Sequence, residues 1–164
     1  MTFLSPLPVT PEAQRLFEED LRDLGFVMNA TRLWAYQPAT IEGLFDLMQT
    51  NITAHRLTMR QRGILVTACA YELGDSYCSL AWGTKLSAVA DPALAASVLR
   101  GEPIGLTLSE QAMADWARNV VRAPSQTTLA DVQCLRDAGF TDPQIFAITV
   151  FVALRIVTYG RPMA

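Results

Sequence analysis

The residues best suited to chemistry in this chain are three cysteines, Cys69, Cys78 and Cys134, and one histidine, His55. No two cysteines form a CxxC pair, and an odd, unclustered set points to free thiols rather than a disulfide frame. A lone cysteine is commonly a small buried apolar residue, so each thiol also has a plain packing reading. Cys78 stands out by position. The spacing predicts a helix over Met59 to Leu73, a turn at Gly74, and a restart with Asp75 or Ser76 as N-cap. Cys78 then falls in the first turn of the new helix, where free amides and the helix dipole favour thiolate. Asp75, close by, opposes that effect. No obvious base stands beside the thiol.

Helpers are conceivable nearby. Glu72 lies six residues before Cys78 and could reach it across the turn at Gly74. Tyr71 and Tyr77 could donate hydrogen bonds. Cys69 is a conceivable second thiol, but its register stacks it between Leu65 and Leu73, facing the core. Each candidate has a bland counterpart: Glu72 as a solvated helix-end charge, the tyrosines and Trp82 as packing. His55 precedes the cap at Thr58 and reads as a surface or loop residue, with no cysteine or carboxylate cluster to make a metal site. No glycine-rich phosphate loop, nucleophile elbow or dinucleotide fingerprint is present, so no cofactor is expected.

The elements that must position these groups read as helices throughout. Thr10-Pro11 is an N-cap followed by proline at the first helical position, and Ala13, Leu16, Phe17, Leu21 and Leu24 recur at helical spacing up to Gly25. Thr58/Gln61, Thr107/Glu110, Thr128/Asp131 and Thr141/Gln144 are capping boxes or close variants, each preceding an apolar run. Residues 145–157 are apolar nearly all round, which marks a buried central helix or a subunit-interface helix. No window alternates with period two between hairpin turns, so strands are not expected. Breaks at Gly25, Pro38, Gly74, Asp91-Pro92, 101–105 and 123–126 are short, and none is a flexible linker. The reading is an all-α single domain over residues 1–164, with about seven to nine helices.

Composition narrows the function classes. Of 164 residues, 51% are hydrophobic and 18% charged, the opposite of a disordered chain. The apolar excess suggests surface buried between subunits. A net charge of −3 with scattered arginines and one lysine, Lys85, gives no basic stripe for nucleic acid. The N-terminal segment lacks a charged n-region and a long apolar core, and residues 145–157 are too short to span a bilayer and contain Arg155. A cytoplasmic protein is expected.

Several stretches carry a resemblance. Tyr77-Cys78, Gly25-Phe26-Val27 with Asn29, and the run from Thr127 through Arg161 are similar to segments of the alkylhydroperoxidase AhpD / carboxymuconolactone decarboxylase family, over roughly Leu21 to Arg161. The resemblance implies an AhpD-like helical bundle that forms a homo-dimer or higher oligomer. Family members carry the pattern E-x11-C-x2-C-x3-H. On that pattern Cys78 matches the second, peroxidatic cysteine, while the resolving cysteine falls on Asp75, the histidine on Trp82 and the glutamate on Gly63. A thiol peroxidase needs a thiolate, a proton relay and a second thiol. Glycine and tryptophan cannot move a proton, and Asp75 cannot form a disulfide. The resemblance therefore implies at most a one-cysteine thiol peroxidase or reductase using Cys78, with an external thiol or small-molecule substrate. The alternatives are a non-catalytic pseudoenzyme or oligomeric binding protein of the same fold, or a lyase on a small cyclic carboxylate. The lyase needs an anion-binding group, for which Arg60 and Arg62 are the nearby candidates.

Overall fold

The computed structural model describes Ser5 and residues 9–158. The reading of the N-terminal segment therefore falls mostly outside the described residues, as do residues 159–161 at the end of the resemblance. Among the described residues there are nine α-helices, one short 3-10 helix and no strands. They divide into two compact units, residues up to Gln49 with 157–158, and Thr50–Ile156. The division falls inside helices rather than at loops.

The first unit contains α1 (Pro11–Leu24), α2 (Asn29–Trp34) and most of α3 (Pro38–His55). Thr10 caps α1 by accepting from the Ala13 amide, and Gly25 ends it at φ 80°, a left-handed conformation that suits a residue with no Cβ. The buried Asp20 carboxylate accepts from the Met28 amide at 2.8 Å, which fixes the turn into α2. An ion pair between Arg15 and Glu42 ties α1 to α3. Pro38, read as a break, is the first residue of α3, where its missing N–H costs nothing.

The second unit is built around α4 (Met59–Leu73), whose bounds match the sequence reading. Its residues from Gly63 to Ala70 are all buried. Packed around it are α5 (Ser76–Val89), α6 (Pro92–Leu99) and α7 (Leu108–Arg122). Ile64, Leu65 and Val66 are fully buried, and burying each such side chain contributes about 1.5–3 kcal/mol. Full capping boxes form at Thr58, Thr107 and Thr128, the last opening α8 (Leu129–Asp137). The fourth threonine, Thr141, receives the Gln144 side chain on its amide at 2.9 Å, as the variant predicted.

Helix α9 (Asp142–Thr158) is not apolar-buried all round. Ile145, Ile148, Phe151 and Val152 are buried, whereas Phe146 is 66% and Val157 55% exposed. Trp116 on α7 donates its indole N–H to Thr149 on α9 at 2.9 Å. The buried Asn51 amide donates to the Ala147 carbonyl at 2.9 Å, joining the end of α3 to α9. His55, expected on the surface or in a loop, is the half-buried last residue of α3. Among the described residues no single helix is long and apolar enough to cross a membrane.

Candidate functional site

The turn between α4 and α5 positions Cys78. Gly74 closes α4 at φ 63°, and Asp75 caps α5 by accepting from the Cys78 amide at 2.9 Å. Cys78 therefore occupies the third position of α5, half-buried. The expected thiolate-favouring effect of the helix start does not prevail. Burial pushes the thiol up to about 12, and the Asp75 charge and its hydrogen bond to the thiol reinforce that. The charges of Arg155 and Lys85 oppose the rise without overcoming it. One aspartate thus satisfies the helix start and adds to burial in keeping the proton on the sulfur.

The proposed helpers go elsewhere. Glu72 is engaged by Arg122 of α7 in a two-pronged pair at 2.6 and 3.2 Å. The Tyr71 ring lies over Gly101, in the turn after α6, and is exposed along its other side. Tyr77 is exposed on the first turn of α5. Cys69 is fully buried, as its register predicted, and burial pushes its thiol up to about 12. Cys134 is exposed on α8.

At Gly63, a Cβ would lie 3.0 Å from Leu86 Cδ1 and 3.2 Å from its Cβ. The absence of a side chain lets α4 and α5 approach closely, and a carboxylate-bearing residue has no room there. Trp82 sits one turn after Cys78, half-buried, with two cations over its ring. Lys85 Nζ is 4.8 Å and the Arg155 guanidinium carbon 4.9 Å from its ring centroid. Both distances fall within cation–π range. Arg60 is held by Glu110 at 2.5 and 3.1 Å, and the same glutamate accepts from the Thr107 amide. Arg62 has its Nε buried with no hydrogen-bond partner.

The residue that local sequence reading missed is Arg155. It is 9% exposed, stacks on Trp82, and its charge reaches both Cys69 and Cys78. The available signal was a cation inside the most apolar run of the chain, since buried charges are rare unless partnered. A shallow groove of about 230 Å³ between α5 and α6 is lined by Ser79, Leu80, Gly83, Thr84, Ala95 and Leu99 among others. It begins one residue past Cys78 and does not include the thiol. Among the described residues no cluster of three or more His, Cys, Asp or Glu is arranged to hold a metal.

Nine helices arranged in this way define an all-α fold of the alkylhydroperoxidase AhpD type. An uncharacterized peroxidase-related protein from Silicibacter sp. TM1040 superposes with a TM-score of 0.71 at 23% identity, over 96% of this chain and 86% of that one. The alkylhydroperoxidase AhpD core of an uncharacterized peroxidase-related protein from Ralstonia eutropha JMP134 gives 0.70 at 24% identity, over 96% and 87%. No protein-family model matches the chain, and no curated protein does. At these identities the likeness establishes the fold.

Proposed function

We propose that this AhpD-like protein works by binding and self-assembly, and that Cys78 does not turn over peroxide at neutral pH. The carrying observation is the placement of Asp75. Its carboxylate closes the first turn of α5 by accepting from the Cys78 amide, and its charge adds to burial in raising the thiol, at a position where a two-thiol cycle would need sulfur. The remaining parts of a relay are also committed: Glu72 to Arg122, and Trp82 to its two cations. Neither side chain offers a base to the sulfur.

Self-association follows from the same reading. Leu80 is 73%, Leu108 84%, Leu129 76% and Phe146 66% exposed, apolar side chains that a subunit interface would cover. The three free cysteines suit a reducing compartment such as the cytoplasm. Light scattering is expected to give a dimer or larger homo-oligomer, and a monodisperse monomer would refute that part.

The activity part is tested by consumption of hydrogen peroxide and of an organic hydroperoxide, with a small external thiol as reductant. The expected rate equals that of Cys78→Ser. Turnover by the natural chain that disappears in Cys78→Ser would sink the proposal and establish a one-cysteine peroxidase instead. One feature favours that second reading, namely the half-buried setting of Cys78 in a first helical turn with Arg155 and Lys85 nearby. The lyase reading has less support, because Arg60 is taken by Glu110.

A further inference from the structure

We propose that Trp82 is a shutter over the Cys78 thiol, held shut by the cation–π contact with Lys85. Cys78, Trp82 and Lys85 follow at i, i+4 and i+7 along α5, so all three share one helix face. The side chain of a helical residue covers the turn N-terminal to its own Cα, which directs the Trp82 ring back toward Cys78. The same two cations that lie over the ring, Lys85 and Arg155, are also felt at the Cys78 sulfur, so ring, thiol and cations form one cluster.

The two halves of the clamp differ. Arg155 is buried in α9 and is the fixed cation of the two. Lys85 is exposed, and among the described residues it makes no ion pair with a carboxylate. Its four-carbon stem is free to swing, and the ring then loses one of its two cations. The mobile half is therefore the exposed lysine. Any change that removes or engages its charge, including acylation of the amine or pairing with an anion, opens the way to the sulfur.

The inference goes beyond the functional reading, because it concerns access to the thiol and not its proton affinity. The test is the alkylation rate of Cys78 by iodoacetamide at fixed pH, in a chain carrying Cys69→Ala and Cys134→Ser, with and without Lys85→Met. The reaction displaces iodide by the thiolate sulfur. Electrostatics and the shutter predict opposite signs. Lys85 lowers the Cys78 pKa, so loss of its charge alone must slow labelling. Loss of the clamp instead speeds it by about two- to fivefold, the factor an exposed cation–π contact is worth. An unchanged or slower rate overturns the proposal. In a Trp82→Ala background the shutter is already gone, and Lys85→Met is then expected to slow labelling. An acceleration persisting there would assign the effect to something other than the ring. Peroxide turnover by the natural chain, which would refute the functional reading, leaves the sign of the Lys85→Met effect untouched.

Discussion

Replacing Asp75 by asparagine tests what holds the proton on Cys78. Asparagine caps a helix start about as well as aspartate, so the fold is retained while the charge is removed. With the thiol at about 12, only about one molecule in ten thousand carries thiolate at pH 8. A free cysteine near ~8.5 would carry it in about one molecule in four. Solvent at this half-buried position screens part of the effect, so the expected suppression of alkylation relative to a free thiol is about 10²- to 10³-fold. Burial is the larger cause and survives the substitution, so Asp75→Asn is not expected to restore an ordinary thiol. Removing the adjacent charge and its acceptor is expected to lower the pKa by about one, which is about tenfold in labelling rate below the midpoint. The assay is the pH dependence of alkylation from pH 6 to 10, with Cys69 and Cys134 replaced. Asp75→Asn labelling no faster than the parent, or a parent midpoint near that of a free thiol, would refute the reasoning.

Two further predictions concern the core of the second unit. Gly63→Ala places a methyl 3.0–3.2 Å from the Leu86 side chain, with the Leu86 Cα at 3.5 Å. The overpacking cost of about 1–3 kcal/mol exceeds the ~1 kcal/mol gained by removing a helical glycine, and urea denaturation is expected to show a net loss of about 1 kcal/mol. A stabilised variant would mean that α4 and α5 part easily. Cys69, raised to about 12 by burial, is protonated in the folded chain at pH values where the unfolded chain has begun to ionise. Its contribution is complete below ~8.5 and is lost as pH rises toward about 12, at up to ~1.4 kcal/mol per pH unit. The decline in stability between pH 8.5 and 10 is expected to be shallower in Cys69→Ala, and parallel curves would contradict the assignment.

The local signals in the sequence were the reliable ones. A threonine followed three residues later by Gln, Glu or Asp located the starts of α4, α7 and α8, because a capping box is satisfied within one turn. The burial of Cys69 followed from its register. What local reading missed lies in pairings between distant positions. Arg60 with Glu110 and Glu72 with Arg122 each span 50 residues, and nothing near Glu72 shows that its carboxylate is already engaged. Glu110 was legible as a cap but not as the partner of Arg60, since the second role depends on how α4 and α7 pack. Arg155 served in the sequence only to argue against a membrane span. Its stacking on Trp82 follows from the placement of α9 against α5.

The cap at Asp75 also sets the cost of rebuilding a two-thiol site on this fold. Cysteine at residue 75 would remove the carboxylate that closes α5, at about 1 kcal/mol for a lost cap. A carboxylate at residue 63 would collide with Leu86, and histidine at residue 82 would give up the ring that two cations now grip. Each of these substitutions is opposed by capping or packing already in place. Installing a second thiol, a carboxylate and a histidine at these three positions one at a time would therefore cost stability at every step.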